Sequence, residues 1–91
     1  GVDREGHQPA ALEDEIALAW ANVFAILAAA DMGPEDIVDV LVLLRDQEGV
    51  PVYRGVRDRL LGGHLACSTL LVCGLANPDW RVEIAVRAAR D

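Results

Sequence analysis

The chain has no lysine and few aromatic residues. Its eight basic residues are all arginine, and 15 aspartates and glutamates outnumber them, so the net charge is −7. An acidic protein repels the phosphate backbone of nucleic acids. Aromatic residues make up 4% of the sequence, which leaves little surface for base stacking. These shortages argue against a nucleic-acid-binding protein.

Cysteine and long apolar runs are scarce as well. Cys67 and Cys73 are the two cysteines. On one strand they point to the same face but lie too far apart to bridge, so we expect reduced thiols. No apolar run reaches the roughly 18 to 20 residues that span a membrane, and the polar start does not resemble a signal peptide. The sequence predicts a soluble cytoplasmic protein.

The residues that are present indicate one small globular domain over 1–91, with 53% hydrophobic residues. Apolar residues at three- and four-residue steps predict a helix from Ala10 to Ala30, which ends before Gly33-Pro34. The buried stripe of this helix is expected to hold Leu12, Ile16, Ala19, Val23, Ile26 and Ala30.

Four further elements follow in the sequence. The first is an almost wholly apolar strand, expected to be covered on both faces apart from Asp39 near its start. The second is a helix opened by Pro51, with Val52, Val56 and Leu60 buried. A third apolar segment and a strand of alternating residues follow. Their bounds are Ile37–Leu44, Pro51–Gly62, Ser68–Cys73 and Trp80–Ala88.

Three strands make a narrow sheet for two helices. Such a sheet has exposed edges and one uncovered face, so we expect another chain, a symmetry mate or an upstream segment to complete it.

Several stretches carry a resemblance to a known family. They are Ala21-Asn22, Ala28–Asp46, Tyr53–Arg57 and Ser68–Ala88, and the closing Val-Glu-Ile with its alternating tail is the most specific. Together they resemble the Rid (reactive intermediate deaminase, YjgF-like) family over the whole chain. The resemblance implies an α+β fold of the YjgF-like, chorismate-mutase-like type. In it two helices pack on one face of a mixed sheet, in the order helix-strand-helix-strand-strand.

The resemblance also implies what completes the sheet. Family members begin with a hairpin of two strands, and those N-terminal strands are missing here. The protein is therefore expected to be a homotrimer, or a heteromer with a separate chain that supplies the strands. A fragment and a cleaved precursor whose halves stay together are also open.

The family's activity is the hydrolysis of enamines and imines derived from amino acids, at sites between subunits. Such chemistry needs a positioned water and a carboxylate that moves protons. Glu83 occupies the place of the family's acid, which makes it the catalytic candidate. The alternative is a solvated carboxylate on an edge strand, paired with Arg81 or Arg87.

The family's clamp for a substrate carboxylate has no match. The usual Pro-Ala-Arg reads Leu65-Ala66-Cys67 here, and no arginine lies between His64 and Cys73. We expect a substrate that is larger, lacks the carboxylate, or is held by Arg81, Arg87 or another chain.

Three other residues are weighed for the site. Cys67 is a candidate nucleophile with His64 as its partner, or else a small buried residue beside an ordinary loop histidine. Tyr53 either reaches a substrate at a subunit boundary or packs in the core. We expect no metal and no cofactor.

The sequence leaves two functions open. The first is a Rid-like hydrolase or deaminase of an enamine, imine or related intermediate, for which a role in specialised biosynthesis is one expectation. The second is a catalytically inactive binding or assembly subunit that kept the fold. Ribonuclease activity, also attached to the family name, fits the acidic charge poorly.

Overall fold

The computed structural model describes residues 6–62 and 67–90. Its elements follow the predicted order, and single 3-10 turns precede the first strand and the second helix. The bounds are α1, Leu12–Ala29; β1, Ile37–Leu44; α2, Val50–Leu61; β2, Cys67–Val72; and β3, Val82–Ala88.

The strands form one mixed sheet in the order β2-β1-β3. β1 is parallel to β2 and antiparallel to β3, with Leu43 opposite both Leu71 and Glu83. Because β2 follows β1 in parallel, the chain needs a crossover between them, which α2 supplies. β2 and β3 are therefore the edge strands of the described sheet.

Both helices pack on one face of the sheet, and the core lies between the layers. Alternate residues of β1 and β3 enter it, as the period of two in β3 predicted. The α+β architecture with two helices on a mixed sheet is thus confirmed. The largest fully buried side chains are those of Trp20, Tyr53, Ile16, Leu44, Glu15, Val42 and Val82.

Three residues assigned to the core from helical spacing lie outside it, among them Ala30, which is exposed just past the end of α1. Ile26 is 72% exposed, and Leu27 points inward in its place. Val52 is exposed on α2, whereas Tyr53 and Val56 are buried. The apolar stripes are therefore rotated by about one residue from the predicted ones in these places.

The second face of the sheet is open. Leu41 is 39% exposed and Leu71 is 49% exposed, so the expectation that β1 is covered on both faces is wrong for the described residues. Residues opposite one another on paired strands share a face, which places Leu43, Glu83 and Ala85 on the same side as Leu41.

The second helix ends at a glycine in the left-handed region. Gly62 follows α2 with φ of 59°, a conformation in which a Cβ is strained. No helix of the described residues is both long and apolar enough to cross a membrane.

Candidate functional site

The carboxylate of Glu83 lies on the open face of the sheet. Glu83 is the second residue of β3, stands opposite Leu43 and is half-buried. A small cavity of about 60 Å³ beside it is lined by Leu41, Leu43, Ile84 and Ala85. Within the described residues the carboxylate has no hydrogen bond or ion pair. An unpaired carboxylate in partly apolar surroundings can accept a proton or orient a water molecule.

Cys67 stands far from Glu83 in the same chain. Its backbone pairs with Asp39, four residues along β1 from the partner of Glu83. Four residues along a strand and two strand spacings separate the two Cα atoms by roughly 16 Å. One small substrate cannot contact both side chains of a single chain. The side chain of Cys67, and His64 as a whole, lie outside the described residues.

Arg87 is the arginine on the open face. It stands opposite Asp39 on β3, is 76% exposed, and places its Nη2 3.7 Å from Asp39 Oδ2. So long and exposed a pair contributes little stability. The guanidinium of Arg87 therefore stays available to an anionic group.

Arg81 is held inside the fold instead. Its Nε donates to Glu15 Oε1 at 2.6 Å, its backbone amide donates to Glu15 Oε2 at 2.9 Å, and its Nη2 donates to the Pro9 carbonyl oxygen at 2.8 Å. The structure thus places this candidate substrate-binding residue in a structural ion pair, with most of its donors used.

Glu15 was not identified from the sequence as more than a charge in the first helical turn. It is fully buried and also accepts from Gln8 Nε2 at 2.9 Å. Burial alone would raise the pKa of its carboxyl, but the hydrogen bonds from Gln8 and Arg81 outweigh burial and lower the pKa to about 2. The sequence feature that could have identified Glu15 is its spacing. It lies three residues after Leu12 and four before Ala19, on the apolar stripe of α1.

Tyr53 is packed in the core. Its side chain is fully buried, and its hydroxyl has no hydrogen-bond partner among the described residues. Burial raises the pKa of this phenol to about 12. The guanidinium carbon of Arg57 lies 6.0 Å from the ring centroid. Tyr53 therefore does not reach a substrate from this position, and the packing alternative describes it.

A larger groove runs between α1 and the outer edge of β3. Its volume is about 350 Å³, and it is lined by Asn22, Ile26, Trp80, Val82 and Ile84, among others. The exposed Ile26 lies in it. No other strand of the described sheet lies beyond β3, and a sheet edge beside an apolar groove has the form of a site for another strand.

These features define a class of protein: a two-layer α+β domain whose sheet has one open face carrying an unpaired carboxylate. The model of the family described as Endoribonuclease L-PSP matches residues 1–90. The chain belongs to this family, and the resemblance to the Rid/YjgF-like proteins is confirmed.

Solved structures of relatives have the same fold. Escherichia coli TdcF with bound serine is 25% identical, with a TM-score of 0.89, and the match covers 94% of this chain and 70% of TdcF. A YjgF-family protein from Neisseria meningitidis is 25% identical, with a TM-score of 0.85 and coverage of 93% and 73%. The E. coli YjgF gene product is 22% identical, with a TM-score of 0.88 and coverage of 94% and 70%. No curated protein matches the chain.

Proposed function

We propose that the protein is a Rid-like hydrolase of an enamine, imine or related intermediate, with Glu83 as the acid and base that positions water. The observation that carries the proposal is the half-buried Glu83 carboxylate, which has no partner among the described residues and faces the open side of the sheet. In this reaction water adds to a carbon–nitrogen double bond, and the products are a carbonyl compound and ammonia or an amine. A carboxylate takes a proton from the water and returns one to nitrogen.

The relatives support a small nitrogen-containing substrate. TdcF was solved with bound serine, an amino acid, and amino-acid-derived imines share its carbon skeleton. The clamp for a substrate carboxylate differs here, because residues 64–73 contain no arginine. Arg87 is the accessible cation on the open face and the candidate to replace it.

The site is completed by a second copy of the chain. Glu83 and Cys67 are too far apart to share a substrate within one chain, so a site that uses both residues needs Cys67 from a second copy. Exposed Leu41 and Leu71 supply the apolar surface for this contact. A homotrimer is the proposed assembly, in line with the resemblance.

The outer edge of β3 takes further strands of the family's sheet. These strands belong to the same polypeptide or to a separate chain, and the groove beside Ile26 receives their side chains. Native mass measured together with the denatured masses of all co-purifying chains decides between a homomer and a heteromer.

The family description also names endoribonuclease activity. The net charge of −7 opposes contact with RNA, so hydrolysis of carbon–nitrogen double bonds takes precedence. If the wild-type protein cleaves RNA, endoribonuclease activity takes precedence over hydrolysis of carbon–nitrogen double bonds.

The test compares two carboxylates of the open face. Imines are generated from amino acids and amines by an oxidase, and carbonyl formation is followed with and without the protein. We expect Glu83→Gln to keep the fold and lower kcat by about a hundredfold or more. Asp39→Asn is the comparison: Asp39 lies on the same face and pairs with Arg87, the proposed binding residue, so its loss should change KM rather than kcat.

Two results would contradict the proposal. An unchanged rate in Glu83→Gln removes Glu83 from the mechanism. A wild-type protein that turns over no imine, yet binds another chain tightly, favours the inactive binding or assembly subunit.

A further inference from the structure

The start of β3 is held by a buried cluster, here named the Glu15 clasp. It consists of Gln8, Glu15 and Arg81 and joins three distant parts of the chain. Gln8 Nε2 donates to Glu15 and also to the Asp79 carbonyl oxygen, at 2.7 Å. Arg81 reaches back to the Pro9 carbonyl oxygen. The segment before α1 is thereby tied to the turn that precedes β3.

The clasp fixes the backbone of Arg81 from both sides. Its amide donates to Glu15 Oε2 at 2.9 Å, and its carbonyl oxygen accepts from the Arg45 amide at 3.0 Å. The side chain of Arg45 extends this bracing, because its Nη1 donates to the Pro78 carbonyl oxygen at 2.8 Å. Glu83 comes two residues after this fixed point.

A gain in stability does not by itself explain why this ion pair is buried. Taking a carboxylate out of water is costly, and an apolar pair of the same size is often as stable or more stable. The particular effect of Glu15 is on position. Strand ends fray when nothing holds them, and Glu83 is the second residue of an edge strand.

We propose that Glu15 is a positioning residue for Glu83. By holding the Arg81 amide and guanidinium, it keeps the first residues of β3 in place, so that the Glu83 carboxylate has a fixed location on the open face. The inference rests on the proposed function where it concerns catalysis, since Glu83 must be the reacting group. A group that moves a proton has to be held within about 0.5 Å of its working place.

The experiment has one arm that needs no activity. Hydrogen exchange is measured by mass spectrometry on the protein as purified, with any chain that co-purifies, for wild type and Glu15→Gln. We expect exchange in residues 79–84 to become at least about tenfold faster and exchange in residues 85–90 to stay unchanged. Equal acceleration in both segments, or none in 79–84, would overturn the proposal.

The second arm uses turnover. Glu15→Gln should lower kcat by about tenfold to a hundredfold with KM within about twofold, because binding is kept and the acid–base group is misplaced. Arg90→Gln is the matched control. It removes an ion pair with Asp36 beyond the other end of β3 and should leave kcat unchanged. A rise in KM without a fall in kcat would refute the positioning role.

A double variant separates position from folding. Glu15→Met with Arg81→Leu replaces the ion pair by apolar side chains and is expected to keep the free energy of unfolding. It should still show fast exchange in residues 79–84 and low kcat. Full activity in this variant would sink the proposal. If wild type turns over no imine, the proposed function fails, and the exchange arm alone decides the role of Glu15.

Discussion

The Nε of Arg81 donates a hydrogen bond of 2.6 Å to Glu15 Oε1, although 66 residues separate the two in the sequence. The carboxylate is fully buried and the guanidinium largely so. This ion pair is a polar connection between α1 and the start of β3. Because its partners are distant in sequence, it forms only when the tertiary fold forms.

Removing the buried carboxylate should destabilise the protein. We expect Glu15→Gln to lower the free energy of unfolding by about 2 kcal/mol, because Arg81 then lies partly buried without its counter-charge. Chemical denaturation measures this change. Asp58→Asn is the control, since the Asp58–Arg57 pair is exposed and should contribute under about 0.5 kcal/mol. Equal losses of unfolding free energy in Glu15→Gln and Asp58→Asn would contradict a stabilising role for the buried ion pair.

The same carboxylate should make stability depend on acid pH. Its pKa in the folded protein is lowered to about 2, from an ordinary value of 4.5. A carboxyl whose pKa is lower in the folded than in the unfolded state stabilises the protein at pH values above the unfolded pKa. This contribution is lost as the pH falls from about 4.5 towards 2. The difference in unfolding free energy between wild type and Glu15→Gln should shrink over that window. A difference independent of pH would refute the lowered pKa.

The single tyrosine should titrate late. Tyr53 is the only tyrosine in the sequence, so tyrosinate absorbance reports on it alone. Burial raises its pKa from 10.0 to about 12. The contribution of this raised pKa to the free energy of unfolding is complete below pH 10 and is lost as the pH rises towards 12. An absorbance midpoint near 10 in the folded protein would contradict the buried position.

The Tyr53 hydroxyl should be dispensable for folding. It has no hydrogen-bond partner among the described residues, and an unsatisfied buried hydroxyl costs about 1 kcal/mol or more. Tyr53→Phe is therefore expected to leave the melting temperature unchanged or to raise it. Tyr53→Leu is the comparison, which should lower it because the ring volume is lost.

The apolar open face should carry self-association. Leu41→Glu is expected to reduce the native mass while the circular dichroism spectrum stays that of the folded protein, because the new carboxylate would be buried against another copy without a partner. Val52→Glu is the matched control, since Val52 is 37% exposed and Leu41 39%, but Val52 lies on α2. If both variants keep the native mass, the open face is not the interface.

Local pattern was enough to predict most of the fold. β1 was predicted to the residue, since an apolar β-branched run stands between a proline stop and a polar turn. The faces of β3 followed from its alternation. The misplaced Ile26 has a physical reason: it lies in the groove beside β3, where the described residues offer nothing to cover it.

The site was less accessible to sequence reasoning. Glu83 was selected through the family resemblance, because a pattern alone cannot distinguish a reacting carboxylate from a solvated one on an edge strand. The ion pair of Arg81 escaped notice because neither spacing nor period connects residues so distant in sequence. The spacing of Glu15 from Leu12 and Ala19 could have indicated its burial, because a charge on the inner stripe of a helix needs a buried partner.

The place of β1 in the sheet determines when the domain can fold. β1 is the central strand, but one of its neighbours is β3, the last strand of the sequence, and Leu44 pairs with Val82 across the whole of α2 and β2. Contacts of such long sequence separation close slowly. During synthesis β1, α2 and β2 leave the ribosome before β3, so the edge of β1 that pairs with β3 stays unpaired for several seconds at ordinary elongation rates of about 5–20 residues per second. The yield of folded protein should therefore depend on chaperones that bind extended apolar segments.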